Sequence, residues 1–276
     1  METKIGAYKL LGPMDTSGSG TARWCLAERE GKTFFLKQFL SPVFPPERFG
    51  KQMEGREERC RLFENRKRRL YTALSRVPGQ SCVPVVDFFR CGAHYYAASP
   101  ALPEEAVPIS QWEENRGKAL SALARSLRSL HTQGMVHGDV KPEHVYVLPS
   151  TGQIRLVDFD SGFFPEDPPL PGEGMDGDPA WIAPETYLRM TGQEEPIDFS
   201  ADIFSLALVL HREITGKLPE SPWEYAYQAV LRGEPLGLDP SIPPYVSQLL
   251  TRMLARNGKD RPEDDEIVFA LEMEFL

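Results

Sequence analysis

The chain has 276 residues, 41% of them hydrophobic and 26% charged, with a net charge of −9 from 31 Lys and Arg against 40 Asp and Glu. This is the composition of a folded globular protein rather than a disordered one, and its acidic balance argues against bulk attraction to nucleic acid or an anionic membrane. The four cysteines, Cys25, Cys60, Cys82 and Cys91, form no C-x-x-C pair, which speaks against a zinc site or a disulfide framework. No apolar run approaches the length of a membrane span and the start METKIGAYKL lacks a signal-peptide core, so the cytoplasm is the expected location.

In chain order, the first hundred residues carry short β-type runs, Phe34-Phe35-Leu36 and Val83-Pro84-Val85-Val86-Asp87-Phe88-Phe89, around one long charged stretch from Glu54 to Arg69. A sheet with one helix packed on it is expected. The basic run Arg66-Lys67-Arg68-Arg69 lies in that charged stretch with Glu57, Glu58 and Glu64 and reads as a solvated helix face. Pro100, Pro103 and Pro108 deny Ser99 to Pro108 both helix and ladder hydrogen bonds, so this segment reads as a linker. The lobe boundary is therefore expected near residue 99, with an N-terminal lobe over 1–98 and a C-terminal lobe over 99–276. Beyond it, Leu120, Leu123, Ala124, Leu127 and Leu130 repeat at helical spacing, and Ser200 to Thr215 is apolar nearly all round until Gly216 stops it.

The segment richest in chemistry is His137-Gly138-Asp139-Val140-Lys141-Pro142-Glu143-His144-Val145, followed by Asp158-Phe159-Asp160. Two strand-like runs, Val145 to Leu148 and Ile154 to Val157, are joined by Pro149-Ser150-Thr151-Gly152-Gln153. Such a hairpin brings Asp139 and Asp158 to one edge. Phosphoryl transfer needs a pair of this kind, one carboxylate to orient a hydroxyl and take its proton and another to hold Mg²⁺ against phosphates. Lys141 would neutralise charge on the transferred group. Each Asp taken singly is as readily a turn or cap residue.

As an ordered set these residues resemble the eukaryotic-type protein kinases. Their H-R-D-x-K-x-x-N loop and D-F-G motif match His137, Asp139, Lys141, Asp158 and Phe159. Ala183-Pro184-Glu185 stands as A-P-E, Asp202-Ile203-Phe204-Ser205 is similar to D-x-W-S, and Arg261-Pro262 follows near the C-terminus. The resemblance implies a single kinase domain over 1–276 of the α+β class, two-lobed, with an N-terminal sheet plus one helix and a mainly helical C-terminal lobe. It also implies Mg·ATP, with Mn²⁺ as an alternative, a protein substrate carrying a Ser or Thr hydroxyl, and Asp139 as catalytic base. Glu185 is expected to pair with Arg261, and Asp202 to hold the backbone of the catalytic loop.

In the N-terminal part, Phe34-Phe35-Leu36-Lys37 takes the place of V-A-I-K, which nominates Lys37 for the α- and β-phosphates. Gly18, Ser19 and Gly20 stand where a glycine-rich loop would cover them, although the match to G-x-G-x-x-G-x-V is imperfect. A Walker A loop is absent, because Gly31-Lys32-Thr33 has Leu26 where the leading Gly is needed. For the helix carboxylate that pairs with Lys37 the choice is Glu64, with Glu54, Glu57 and Glu58 as alternatives.

Four positions depart from the kinase pattern. Gly138 replaces the Arg that receives an activation-loop phosphate, and from Gly162 to Glu185 there is no Ser, Thr or Tyr to phosphorylate. Asp178 stands where a Thr is usual, and a carboxylate there could pair with Lys141. His144 replaces the Asn that binds a second Mg²⁺, and imidazole suits that hard cation poorly. Asp160 replaces the Gly of D-F-G and adds a carboxylate that could bind metal beside Asp158. The H-G-D form is closer to bacterial eukaryotic-like kinases. An active Ser/Thr kinase is the favoured expectation. A pseudokinase that binds nucleotide or a partner is the alternative, ahead of a small-molecule phosphotransferase.

Overall fold

The computed structural model describes residues 3–16, 22–45, 54–172 and 177–275. Residues divide into two compact units: Met1–Arg76 with Val83–Pro103, and Val77–Cys82 with Glu104–Leu276.

In the first unit, alternating side chains build β1 (Lys4–Ile5), β2 (Tyr8–Leu10), β3 (Ala22–Arg29), β4 (Lys32–Phe39), β5 (Asp87–Cys91) and β6 (His94–Pro100). They form one antiparallel sheet in the order β1-β2-β3-β4-β6-β5. One face gathers Tyr8, Cys25, Ala27, Phe34, Leu36, Tyr96 and Ala98 into a core. The pleat puts Phe35, Lys37 and Phe39 on the other face. Helix α1 (Glu54–Leu74) covers that face, setting Phe63 against Phe39, Phe88 and Tyr95, and Tyr71 against Phe88.

Two strand expectations shift. Val83 to Val86 lies outside any strand, and β5 starts at Asp87. The expected linker is partly ladder: β6 runs to Pro100, opposite Phe34, and Pro108 ends the short strand β7 (Val107–Pro108). Both prolines sit at strand ends, where a missing donor is tolerated.

The second unit is mainly helical, as the α+β reading requires. Leu120, Leu123, Ala124, Leu127 and Leu130 are all buried in α2 (Arg116–Thr132). The predicted hairpin is present as β8 (Val145–Leu148) and β9 (Gln153–Leu156), paired from Val145↔Leu156 to Leu148↔Gln153, with β7 alongside. Helices α3 (Pro184–Met190), α4 (Ser200–Thr215), α5 (Ala226–Leu231), α6 (Pro244–Met253) and α7 (Asp264–Phe275) follow. Helix α4 is buried along most of its length and ends at Gly216 with φ 81°, a left-handed cap that glycine adopts without steric cost. Among the described residues no helix is long and apolar enough to cross a membrane.

Glu185 and Arg261 form the expected pair, and it is bidentate: Arg261 Nη1 and Nη2 donate to the two carboxylate oxygens at 2.5 and 2.8 Å. The remaining guanidinium donors reach the carbonyls of Ser200, at 2.6 Å, and Ala255, at 3.0 Å, so the buried cation is well supplied with acceptors. Removing one partner leaves the other charge buried and alone. Arg261→Ala should therefore destabilise the fold by about 3–5 kcal/mol, read from urea unfolding followed by circular dichroism. A loss below 1 kcal/mol, the range of an exposed pair, would contradict this account.

Candidate active site

The site in the second unit starts from a buried carboxylate. Asp202, in the first turn of α4, accepts the backbone N–H of His137 at 2.6 Å and that of Gly138 at 2.9 Å. His131, near the end of α2, reaches the same carboxylate through Nε2 at 3.0 Å and Asp264, the first residue of α7, through Nδ1 at 2.8 Å. Burial alone would lower the His131 pKa, but the two hydrogen-bonded carboxylates outweigh it and push it up to about 9. The Asp202 carboxyl is held below its usual range despite burial, because His131 and the His137 N–H bond its charged form. Asp202 thus holds the loop backbone as expected.

His137 is fully buried and neutral, its pKa lowered by desolvation. Its Nε2 donates to the Val157 carbonyl at 3.2 Å, which leaves Nδ1 to accept the Asp139 N–H at 3.4 Å. One imidazole therefore ties the loop to the residue before Asp158, and the Phe159 ring packs on it at 4.8 Å.

Asp139 is positioned by these contacts and by its own side chain. Lys141 Nζ lies 2.9 Å from Oδ2, while Oδ1 is buried and has no hydrogen-bond donor among the described residues. His144 Nδ1 donates to the Asp139 carbonyl at 2.9 Å and also lies 3.4 Å from Oδ2; Nε2 is 3.6 Å from Asp158 Oδ2. Asp158 has φ 61°, a left-handed conformation that Asp tolerates better than most residues, and its Oδ1 accepts the Asp160 N–H at 3.4 Å. The hairpin thus joins Asp139, Lys141, His144 and Asp158 in one cluster, with Asp160 two residues along the chain from Asp158.

Among the described residues no three His, Cys, Asp or Glu side chains are arranged as a ready metal cage. Mg²⁺ does not need one, since it is commonly held by one or two carboxylates, waters and phosphate oxygens. The Asp158 carboxylate suits that role. His144 suits it poorly, because Mg²⁺ is a hard cation that prefers oxygen to the nitrogen of a neutral imidazole.

Gly138 explains the lost Arg. Its φ is 79° and a Cβ there would overlap the Ser161 carbonyl oxygen, so a side chain is resisted by both backbone and space. The following segment is held by other means. Phe163 and Val136 exchange backbone bonds at 2.9 and 3.2 Å, and Arg189 Nε donates to the Pro169 carbonyl at 2.7 Å. Ser205 Oγ donates to the Trp181 carbonyl at 2.7 Å. Asp178 closes its own turn by accepting the Ala180 N–H at 3.0 Å, and among the described residues Lys141 pairs with Asp139 rather than with Asp178.

In the first unit, Lys37 stands opposite Trp24 and Ala97 on the sheet face covered by α1. Glu64 is bound by Arg68 one helical turn on, at 2.8 and 3.0 Å. The basic run is not wholly a solvated face, because Lys67 is buried. Its ammonium lies 5.4 Å from the Phe39 ring centroid, 5.7 Å from Phe63 and 5.9 Å from Tyr71. Phe63, Lys67, Leu70, Tyr71 and Leu74 share one helical stripe, and the Lys stem and cation suit an aromatic wall. Gly18, Ser19 and Gly20 lie outside the described residues.

The protein kinase domain family matches residues 74–274, most of the chain. The chain belongs to the protein kinase family. It is similar to the serine/threonine-protein kinase pkn3 of Myxococcus xanthus, at 26% identity over 216 residues, covering 70% of this chain and 39% of the relative. Similarity to serine/threonine-protein kinases of Mycobacterium tuberculosis is comparable. PknA is 30% identical over 141 residues, covering 50% of this chain and 31% of PknA, and PknD is 25% identical over 287 residues, covering 94% and 38%. The kinase chain described here thus spans less than two fifths of the length of each of these relatives.

Two outcomes follow for this kinase domain. Gly138→Ala should cost at least about 1–2 kcal/mol from the left-handed backbone alone, seen as a lowered Tm, and an unchanged Tm would show that the loop does not need this conformation. For pH, the His131 pKa is raised on folding from 6.5 to about 9, so its contribution is complete below about pH 6.5 and lost as pH rises through about 9. The urea midpoint should fall across that window in wild type and fall less in His131→Gln.

Proposed function

We propose that the chain transfers the γ-phosphoryl group of Mg·ATP to Ser or Thr hydroxyls of protein substrates. The observation that carries this reading is the state of Asp139. One oxygen is paired with Lys141, and the other is a buried acceptor with no donor among the described residues. A buried acceptor without a partner is costly, and the hydroxyl of a substrate is a donor that would satisfy it. Asp139 then orients that hydroxyl and takes its proton as the oxygen attacks phosphorus, while the leaving ADP oxygen carries away the bond's electron pair. Lys141, beside Asp139, would offset charge on the transferred group, and Lys37, standing in the place of the V-A-I-K lysine, would take the α- and β-phosphates. Mg²⁺, when bound at Asp158, would neutralise phosphate charge. The similar Myxococcus and Mycobacterium proteins are serine/threonine-protein kinases by name, which supports the choice of hydroxyl.

Phosphorylation of the segment after Asp158 has no role in this reading. Gly138 has no side chain to receive a phosphate, and Arg189 and Ser205 already anchor the segment. A second reading, nucleotide or partner binding without efficient transfer, is favoured by His144, an imidazole standing where the kinase pattern has an oxygen ligand for Mg²⁺.

Transfer of radiolabelled phosphate to a generic basic protein, with Mg²⁺ and Mn²⁺ compared, separates the two. Asp139→Asn should lower kcat by about 10²–10⁴-fold, the usual contribution of a general base, and Lys37→Ala should also lower transfer. Equal signal from wild type and Asp139→Asn would remove the transfer reading. His144→Asn, which restores a neutral oxygen donor, should raise the Mg²⁺-supported rate.

A further inference from the structure

Asp264 opens α7 in the acidic run Glu263-Asp264-Asp265-Glu266, where an acidic residue ordinarily serves the helix N-terminus. Its carboxylate does something more particular. Oδ2 lies 2.8 Å from His131 Nδ1, the opposite ring nitrogen is 3.0 Å from Asp202 Oδ2, and Asp202 accepts the N–H groups of His137 and Gly138. The two carboxylates face both ring nitrogens, so both nitrogens carry hydrogens and His131 is an imidazolium. Three helices, α7, α2 and α4, thereby connect in one line of charge-assisted hydrogen bonds that ends on the backbone of Asp139's loop.

We propose that Asp264 is a positioning residue for the catalytic loop, acting through His131 to keep Asp202 ionised and aimed at the His137 and Gly138 amides.

The argument turns on what Asp202 loses without it. Asp202 is almost wholly buried, and a buried carboxylate needs compensation beyond two amides. His131 supplies a countercharge, beyond one hydrogen bond, only while it is protonated, and it too is buried. Among the described residues, the charged groups hydrogen-bonded to His131 are Asp202 from α4 and Asp264 from α7, and the other imidazole near Asp202 is His137, which is neutral. Arg128 and Asp265 pair with each other nearby, between α2 and α7. With Asp264 neutralised, one carboxylate instead of two holds the proton on His131, and the loop amides lose a fixed acceptor at a lower pH.

The inference about rate rests on the phosphoryl-transfer reading; the inference about loop order does not. Two measurements on the full chain separate them. In Asp264→Asn, which keeps an acceptor for His131 but removes the charge, the alkaline fall of kcat should move toward neutral pH by at least one unit, with KM for ATP changed less than twofold. Asp264→Ala should show the same shift or a larger one. Independently of catalysis, hydrogen exchange at the His137 and Gly138 amides should quicken at least tenfold at pH 8 in both variants, with exchange in α6 unchanged. If wild type transfers no phosphate, the kinase reading fails and the exchange result alone decides the positioning role. Exchange at the two amides equal to wild type, or quickened equally throughout α6, would overturn the proposal. A superimposable kcat profile from an active enzyme would also overturn it.

Discussion

Everything chemical in the second unit hangs on the burial of one carboxylate. Asp202 enters at the head of a helix whose other side chains are apolar nearly all round, so water does not solvate its charge. The charge must be met by the protein, and the available donors are two consecutive loop amides and one imidazolium. Because those amides belong to His137 and Gly138, satisfying Asp202 and fixing the loop are the same event. Packing of α4 into the core thus dictates where the backbone of Asp139 sits.

From that anchor the remaining geometry follows by elimination of freedom. Both His137 ring nitrogens are used, one on the Val157 carbonyl and one on the Asp139 N–H, so the strand leading to Asp158 and the loop holding Asp139 share a hinge pin. His144 closes the same loop from its other end through the Asp139 carbonyl. Among the described residues of this loop, the buried side-chain atom without a hydrogen-bond partner is Asp139 Oδ1. Under the phosphoryl-transfer reading, such a loop, with most polar groups spoken for and one buried acceptor not, would be preorganised for a donor that arrives with substrate.

Much of this was legible in the sequence because the information is local or strongly periodic. The β8–β9 hairpin, the stripe of α2 and the apolar length of α4 needed only spacing, and the pairs Glu185–Arg261 and Asp202–loop needed only the order of motifs. What escaped depends on phase and on distance along the chain. Lys67 sits in a run of four basic residues of which Arg66, Arg68 and Arg69 are exposed, and only the rotation of α1 against Phe39 decides which one is buried. The stripe Phe63, Lys67, Leu70, Tyr71, Leu74 was the available signal, and the density of charge around it hid it. Asp264 reads as one helix-capping acid among four until a partner 133 residues earlier is brought beside it. Pro100 and Pro108 were read as breakers, yet a proline at a strand end loses nothing that the ladder requires.

The departures from the kinase pattern are physically linked rather than independent losses. An Arg at position 138 would have to place a Cβ against the Ser161 carbonyl while holding a left-handed backbone, so the path of the segment after Asp158 and the identity of residue 138 constrain each other. Once the side chain at 138 is gone, a phosphate further along has nothing there to bind, and the order it would impose must come from elsewhere. Arg189 grips the Pro169 and Glu195 carbonyls, Ser205 grips Trp181, and Phe163 pairs with Val136. These are neutral acceptors within one unit, and their hydrogen bonds need no modification to form. In its described residues the segment is therefore anchored through its own backbone carbonyls, at Phe163, Pro169 and Trp181.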